Sequence, residues 1–311
     1  METRPVIAVM GPTASGKSEL GLALAEHLGG EIINCDSVQV YREIEIATAK
    51  IPLAEQRGIP HHLLDFLPPD QAYTAAEWAA DAAQKIDAIE ARGRVAIIVG
   101  GSGFYLRAWR LPFFASPPTD QEFRSRLQAI RELRGPEHLH RILTRFDADA
   151  AARLAPRDWP RVQRALEVRW QTGRSLSALQ PERMEPHPSV ARLRLFAFDP
   201  PRAELYERIN VRAEQHFQAG LVEEVRGLLD RGVPADSTAL GAHGYRRAVE
   251  FLRGERTLAS AVEQTQRDVR HYAKRQMTWL RREPGMEWLA GFGDDPKIQA
   301  LALEKIEAGG K

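Results

Sequence analysis

The stretch that most constrains the fold is a glycine-rich loop near the start of the chain. It lies between Val6–Met10, a short apolar run rich in β-branched residues, and residues 19–28, which carry leucine and alanine at helical spacing. The loop matches G-x-x-x-x-G-K-[S/T], and a strand before it and a helix after it are the context that a phosphate loop requires. Inward-turned backbone N–H groups at the start of a helix bind phosphate groups. The residues of this predicted diphosphate or nucleotide site are Gly11, Pro12, Thr13, Ala14, Ser15, Gly16, Lys17 and Ser18.

The phosphate loop identifies what is bound but leaves the reaction open. Lys17 supplies a mobile positive charge, and the hydroxyl of Ser18 is suited to Mg²⁺, which we expect as the cofactor. Asp36 follows a second strand pattern at residues 31–34, at the sheet edge where ligands bind in open parallel sheets. A carboxylate there can accept a proton from an incoming nucleophile. The alternative is an ordinary surface or helix-capping aspartate.

Strand and helix patterns alternate along the first part of the chain. Residues 75–92 are rich in alanine, and residues 95–99 form a continuous apolar run typical of a strand buried on both faces of a parallel sheet. A proline-punctuated segment at 111–119 precedes an arginine-rich helical stretch, and Leu193–Phe198 alternates like a strand that rejoins the sheet. We predict an α/β fold with a P-loop parallel sheet core flanked by helices and an inserted all-helical domain. The predicted core is 1–114 plus 195–311, the insert is 115–194, and further helices are expected at 202–220, 221–232, 246–254 and 258–282.

Composition restricts the class of protein further. No apolar run approaches the roughly 18 residues that a membrane-spanning helix needs, so we expect no membrane partner. A single cysteine excludes an intrachain disulfide framework and a cysteine-rich metal site. The first residues lead directly into a strand pattern, so no secretory signal is expected. We therefore expect a cytoplasmic protein, and a monomer.

Two basic blocks stand out in a chain whose formal net charge is only +1. Residues 161–174 hold four arginines against one glutamate, and residues 267–282 hold six lysines and arginines against one aspartate. In the second block the helical period puts a basic stripe on one face and a mostly apolar set on another. The stripe is Arg267, Arg270, Lys274 and Arg281. Such blocks indicate a polyanion-binding surface, although a solvated helix face explains each block equally well.

Several conspicuous side chains are predicted to be structural. The two adjacent histidines lie on an extended segment, where neighbouring side chains point to opposite faces, so they are a poor metal pair. The lone cysteine is predicted to be a small buried residue, and three tryptophans are predicted to lie in the core. These residues are Cys35, His61, His62, Trp78, Trp109 and Trp170.

Motifs spread over residues 6 to 289 resemble the tRNA dimethylallyltransferase (tRNA isopentenylpyrophosphate transferase) family. They include GPTASGKS, DSVQVYREIEIATAK, VGGSGFYL, RVQRALEV, HGYRR and YAKRQMTWLR, in the order in which the family carries them. The resemblance implies transfer of a dimethylallyl group from dimethylallyl diphosphate to the exocyclic amine (N6) of the adenine 3′ of the anticodon in tRNA. Diphosphate would be released, and the partner would be the anticodon stem-loop.

The resemblance also implies roles for individual residues. Thr13–Ser18 would hold the diphosphate, Ser18 its Mg²⁺, and Asp36 would be the general base, with Lys17 and Ser102 as further catalytic residues. The residues implied to contact tRNA are Asp36, Ser37, Val38, Gln39, Ser102, Arg124, Pro160, Arg161, Val162, Gln163, Arg164, His243, Gly244, Tyr245, Arg246, Arg247, Lys274, Arg275, Gln276, Met277, Thr278, Trp279, Leu280 and Arg281.

The chain departs from the family pattern at four positions. Ser102 and Ser18 replace threonines and keep the hydroxyl, Ala47 replaces a glycine, and His243 replaces the usual isoleucine, which leaves the roles of Tyr245 and Arg246 open. The phosphate loop alone also fits a small-molecule kinase, a nucleotide-gated RNA-binding module, or an enzyme that prenylates free adenine nucleotides. The basic blocks and the length of the chain favour the tRNA enzyme. Whether ATP enters the loop is left open.

Overall fold

A computed structural model describes residues 4–308 of the 311-residue chain. Its centre is a six-stranded sheet in which every neighbouring pair is parallel, in the order β3-β2-β4-β1-β5-β6. The strands are β1 Val6–Met10, β2 Gly30–Cys35, β3 His61–His62, β4 Val95–Gly100, β5 Leu193–Phe198 and β6 Met286–Leu289. The predicted α/β fold is confirmed.

Thirteen α-helices accompany the sheet in the described residues. They are α1 Lys17–Leu28, α2 Ala75–Ala91, α3 Gly103–Arg110, α4 Gln121–Arg134, α5 Pro136–Phe146, α6 Ala148–Arg153, α7 Trp159–Thr172, α8 Leu176–Leu179, α9 Arg202–Gln218, α10 Leu221–Asp230, α11 His243–Leu252, α12 Leu258–Leu280 and α13 Pro296–Ala308. The chain divides into two compact units: the first runs to Arg110 and resumes at His187, and the second is Leu111–Pro186. The catalytic and tRNA-contacting roles assigned to the two parts stay predictions.

The core of the first unit forms where the sheet meets α1. All five residues of β1 are fully buried, as a central parallel strand covered on both faces requires. On α1, a Cβ atom at Gly21 would lie 2.6 Å from Cγ2 of Val99, so glycine lets this helix pack close to β4. Thr74 and Glu77 form a reciprocal capping box that fixes the start of α2.

The second unit is all-helical, and Glu167 is a fully buried carboxylate in it. Leu139, Leu143 and Val162 lie at its centre and are fully buried. The Glu167 side chain is also fully buried, and it accepts hydrogen bonds from Arg124 at 2.9 and 3.0 Å and from Arg164. These contacts tie α4 to α7.

The three tryptophans have different outcomes. Trp78 and Trp109 are buried, as predicted, but the prediction for Trp170 is wrong because 66% of this residue is exposed. It lies on the outer face of α7 and stacks on Phe123, with ring centroids 5.3 Å apart. A bulky aromatic residue at helical spacing does not reveal which face of a helix is covered.

Some elements have no clear sequence pattern. β3 is two residues long, and three of the four residues of β6 are only half-buried, so neither shows the apolar run of an inner strand. β3 nevertheless places His62 against Glu31 at 2.7 Å and His61 against the Ile59 carbonyl, so both imidazoles have hydrogen-bond partners within the fold. Within residues 4–308, no helix has the length and apolarity to cross a bilayer.

Candidate active site

The glycine-rich loop leaves the carboxyl end of β1 and leads into α1. Gly16 has φ +79° at the helix start, and its backbone there is one that L side chains rarely adopt. The loop is anchored by the Gly11 N–H, which donates to the Gly100 carbonyl at 3.3 Å, and by the Gly293 N–H, which donates to the Ser15 carbonyl at 2.8 Å. The hydroxyl of Ser15 is buried and has no hydrogen-bond partner among residues 4–308. These backbone hydrogen bonds fix the conformation of the loop, as a phosphate-binding loop requires.

Two cations approach this loop. Lys17 begins α1, and burial lowers the pKa of its ammonium group to about 8, with Asp36 opposing and Arg212 adding to the shift. Arg212 reaches the loop from α9 and donates a hydrogen bond to the Thr13 hydroxyl. Burial lowers the pKa of its guanidinium, and Asp36 opposes that shift. Both cations thus lie within electrostatic reach of one carboxylate.

Arg212 is the residue that the sequence reasoning missed. It lies on the same face of α9 as Leu205 and Ile209, which are buried, so a basic residue sits in an otherwise apolar helical stripe. That irregularity is a signal the sequence does contain. His216 is one turn further along, and burial together with Arg212 lowers the pKa of its imidazole to about 4. His216 is therefore neutral at neutral pH and adds no charge.

Asp36 lies just beyond the end of β2, at the carboxyl edge of the sheet. Its Oδ1 accepts the N–H groups of Val38 at 2.9 Å and Gln39 at 3.3 Å, which orients the carboxylate. Within the described range, Oδ2 accepts no hydrogen bond and neither cation comes within 4.0 Å. The amide nitrogen of Gln39 donates to the Thr48 carbonyl at 2.9 Å, which fixes the turn. The turn therefore orients the Asp36 carboxylate, and no ion pair in residues 4–308 compensates its charge.

A second glycine loop follows β4 and meets the Asp36 turn. Ser102 Oγ accepts the Ser37 N–H at 3.0 Å, and the Ser102 N–H donates to the Cys35 carbonyl at 3.0 Å. A Cβ atom at Gly100 would lie 2.0 Å from that carbonyl oxygen, so only glycine fits. Burial, with the Asp36 charge next, raises the pKa of the phenol of Tyr272, which lies on α12. Cys35 is fully buried, as predicted.

Comparison with known proteins shows which family the chain belongs to. A profile of the IPP transferase family matches residues 39–283. A curated tRNA dimethylallyltransferase of Solibacter usitatus is 47% identical over 97% of this chain and 98% of its own length, and one of Koribacter versatilis is 45% identical over the same shares. The full-length tRNA isopentenylpyrophosphate transferase of Bacillus halodurans superposes with a TM-score of 0.72 at 34% identity, covering 99% of this chain and 97% of the other.

The chain belongs to the tRNA dimethylallyltransferase family. A eukaryotic dimethylallyltransferase crystallised while acting on tRNA shares 25% identity and a TM-score of 0.80, covering 99% of this chain and 80% of the other. The predicted family and the predicted enzyme class, a prenyltransferase, are confirmed. All the relatives named here are tRNA prenyl or isopentenyl transferases, which decides against the small-molecule kinase.

The residues of α12 that are implied to contact tRNA lie partly on its exposed face and partly on its buried face. Lys274, Arg275 and Thr278 are exposed, whereas the side chains of Gln276 and Leu280 are buried. Trp279 packs against the second glycine loop, and a Cβ atom at Gly103 would lie 2.1 Å from its ring. Met277 is half-buried and Arg281 exposed.

Most of the basic stripe on α12 already has partners. Arg267 pairs with Glu263 at 2.9 Å, Arg281 pairs with Asp199 at 3.3 Å, and Arg270 donates to Asn210. Lys274 is exposed and its ammonium group has no partner in residues 4–308. Lys274 is therefore the stripe's one cation without a polar side-chain partner.

The segment 243–247 is the first part of α11. Gly244 and Tyr245 are buried, and the Tyr245 hydroxyl donates to Glu224 at 2.5 Å and accepts the Ala47 N–H at 3.2 Å. Tyr245 therefore packs and positions the segment before residue 50. Within the segment 243–247, Arg246 is exposed, whereas Arg247 pairs with Asp268 at 2.6 Å.

His243, the departure from the family, packs its ring on Tyr272 at 5.1 Å between centroids. Burial lowers the pKa of its imidazole, and the charge of Arg275 adds to that shift. His243 is therefore a neutral packing partner for Tyr272.

The residues of the second unit that are implied to contact tRNA also differ in their exposure to solvent. Pro160 and Arg161 are exposed at the start of α7, whereas the Val162 side chain is fully buried. Gln163 is half-buried and donates to the Arg124 carbonyl at 3.4 Å. Arg124 and Arg164 are engaged by Glu167, so Pro160 and Arg161 are the members of this set best exposed to a partner.

Proposed function

We propose that this protein transfers a dimethylallyl group from dimethylallyl diphosphate to N6 of the adenine 3′ of the anticodon in tRNA. The observation that carries the proposal is the position of Asp36: an oriented carboxylate that acts electrostatically on both Lys17 and Arg212 without forming an ion pair with either in the described residues. Charged groups for a leaving diphosphate and a base for a nucleophile thus share one edge of the sheet.

The walls of the site suit an amphipathic donor. A cavity beside the start of α1 is lined by apolar side chains that include Ile51, Leu64 and Val99. Its polar lining residues are Lys17, Ser18, Asn34, Gln39 and His61. A diphosphate can lie against the cations and the loop N–H groups while a five-carbon hydrocarbon group contacts the apolar side chains.

The proposed reaction balances within this site. The adenine N6 lone pair attacks the allylic carbon, the N–C bond forms, and the C–O bond to the diphosphate breaks. Lys17, Arg212 and the loop N–H groups stabilise the charge that builds on the leaving oxygen. The amine becomes acidic as the bond forms, and Asp36 takes its proton at Oδ2. Ser102, fixed by the Ser37 N–H, borders the same space.

The first turn of α1 fits a divalent cation. Ser18 is exposed beside Lys17, and its hydroxyl is the type of oxygen ligand that Mg²⁺ takes in phosphate loops. Residues 4–308 contain no cluster of three or more histidine, cysteine or acidic side chains that could hold a metal, so the diphosphate and water would complete the coordination. When bound, Mg²⁺ supplies further positive charge at the leaving group.

The test uses the purified protein with Mg²⁺, dimethylallyl diphosphate and an anticodon stem-loop RNA. Mass spectrometry is expected to show the gain of one C5H8 unit, and a stem-loop with guanine in place of the adenine 3′ of the anticodon is the control. An unmodified RNA, with or without consumption of ATP, contradicts the proposal. We also propose that the enzyme acts in the cytoplasm, where tRNA is found, and as a monomer, which sedimentation measures.

A further inference from the structure

One buried side chain joins the two glycine loops of the site. Gln276 lies in the last third of α12 and is only 6% exposed. Its Oε1 accepts the Thr13 N–H at 2.9 Å, and its Nε2 donates to the Gly101 carbonyl at 2.9 Å. Thr13 belongs to the phosphate loop, and Gly101 precedes Ser102 in the second loop. Both ends of the amide are therefore used inside the protein rather than offered to RNA.

The close approach of α12 to the second loop depends on glycine. A Cβ atom at Gly101 would lie 2.2 Å from Nε2 of Gln276, and one at Gly103 would lie 2.1 Å from the Trp279 ring. Side chains at these two positions would push the helix away from the loop. The amide of Gln276 is thus seated in a space that the backbone leaves open for it.

The chemistry of an amide explains why this position carries glutamine. One end must accept a hydrogen bond from an N–H and the other must donate to a carbonyl, and a single neutral amide does both. A carboxylate can satisfy the first contact only, and a thioether forms neither as a strong bond. Losing either contact would leave a buried backbone group without its partner.

We propose that Gln276 is a positioning residue for prenyl transfer. It fixes the distance between the loop that would hold the leaving diphosphate and the loop that carries Ser102 beside Asp36. The inference rests on the proposed function, and Gln276 acts through Thr13 and Gly101 rather than on the reacting atoms. Alignment of the nucleophile with the leaving group is a large part of a transfer rate, and a misplacement of about 1 Å can cost about 100-fold.

The first test replaces the amide with a side chain of similar length, in Gln276→Met. We expect kcat to fall about 10- to 100-fold while the KM for the stem-loop and the dissociation constant for RNA stay unchanged. The matched control is Gln266→Ala on the same helix, which loses hydrogen bonds to the Asn210 carbonyl and to Glu214 but contacts neither loop. That control is expected to keep its kcat.

The second test, Gln276→Glu, gives a readout that simple destabilisation does not. The protonated carboxyl can donate to the Gly101 carbonyl, whereas the ionised form cannot, and burial beside that carbonyl favours the neutral acid. The kcat of this variant relative to the wild type is therefore expected to rise as the pH falls from mildly alkaline to mildly acidic. Circular dichroism during thermal unfolding establishes that each variant is folded at the assay temperature.

The outcomes separate this inference from the proposed function. A wild type that does not prenylate the stem-loop overturns both. An active wild type with an unchanged Gln276→Met kcat, or with a Gln276→Glu ratio that is flat with pH, overturns the positioning role alone. A Gln276→Met variant that loses RNA affinity and keeps kcat also overturns it, because that result makes Gln276 an RNA contact. If the methionine variant is unfolded, the pH ratio of the glutamate variant decides.

Discussion

Asp36 and Glu167 are two carboxylates that each face two cations, one in each unit of the chain. Glu167 is fully buried and accepts hydrogen bonds from Arg124 and Arg164, so its charge is neutralised inside the second unit. Asp36 interacts electrostatically with Lys17 and Arg212 but forms an ion pair with neither in the described residues. The N–H groups of its turn bind only Oδ1. The first arrangement stabilises a fold, and we propose that the second holds a base and two cations where the substrates bind.

The comparison shows that a count of charges does not say which charges are free to bind. In the first basic block Arg164 is engaged by Glu167, Arg161 pairs with Asp158 and Arg174 pairs with Glu182. Most of the α12 stripe also has partners of its own. The cations beside the phosphate loop have hydroxyl and carbonyl partners rather than carboxylate ones. A cation without a carboxylate partner is the better candidate for a phosphate ligand.

The largest effect is expected from Asp36→Asn. The asparagine oxygen can still accept the N–H groups of Val38 and Gln39, so the turn should persist, but the proton acceptor is lost. We expect kcat to fall by about 10²- to 10⁴-fold with RNA affinity and melting temperature unchanged. Single-turnover prenylation measures the rate, and Asp65→Asn, which alters an exposed partner of Lys50, is the control. Turnover at the wild-type rate would remove Asp36 from the reaction.

The next effect tests the cation that the sequence reasoning missed. Arg212→Met removes positive charge and a hydrogen bond to Thr13 at the leaving group, and we expect kcat/KM to fall about 10²-fold. Arg202→Met on the same helix, whose guanidinium lies over Tyr206, is the control. If both variants behave alike, Arg212 is only a packing residue.

The pKa of Lys17 gives a pH dependence of moderate size. Because that pKa is lowered to about 8, the ammonium loses its proton as the pH rises through this value, and affinity for dimethylallyl diphosphate should then fall. The loss approaches about tenfold per pH unit well above the pKa if the neutral amine does not bind. Calorimetric titration with dimethylallyl diphosphate measures it.

The two neighbours of Lys17 should move this pH limb in opposite directions. Arg212 lowers the pKa of Lys17, so Arg212→Met should shift the limb to higher pH, whereas Asp36 raises it, so Asp36→Asn should shift the limb to lower pH. Equal shifts in both variants would show that Lys17 is not the titrating group.

Glu167→Gln tests the other half of the comparison. Burial opposes ionisation of Glu167, but hydrogen bonds from Arg124 and Arg164 outweigh it and lower its pKa, so its stabilising contribution is present at neutral pH and is lost as the pH falls through that lowered pKa. The amide of Glu167→Gln leaves the charges of Arg124 and Arg164 uncompensated, and we expect the free energy of unfolding to fall by about 2 kcal/mol. This loss is smaller than that for breaking a fully buried ion pair, because both arginines are partly exposed.

Denaturant unfolding measures this loss, and Glu182→Gln, which breaks an exposed ion pair with Arg174, is the matched control. The difference between the two variants should shrink in acid. A Glu167→Gln protein as stable as the wild type would mean that the buried carboxylate does not hold α4 to α7.

The parts of this molecule that follow local rules could be predicted from the sequence. The phosphate loop, β1, β4 and the position of Asp36 each rest on a short pattern with a physical cause, and the structure has them where expected. What could not be predicted depends on contacts between distant segments. The helical period places Gln276 on the mostly apolar face of α12, but no local pattern indicates that its amide meets Thr13, 263 positions away.

The smallest effect concerns Lys274, and it tests whether partnering decides RNA binding on α12. Lys274 and Arg267 both lie on the predicted stripe, but Arg267 pairs with Glu263 and Lys274 has no partner in residues 4–308. Lys274→Ala should lower the slope of log affinity against log salt by about one unit, the release expected for one phosphate contact. Arg267→Ala should change that slope less, because its positive charge is already offset. Filter binding of the stem-loop over a salt series measures both. A larger change for Arg267→Ala would mean that position along α12, rather than a free charge, selects the residues that meet the RNA backbone.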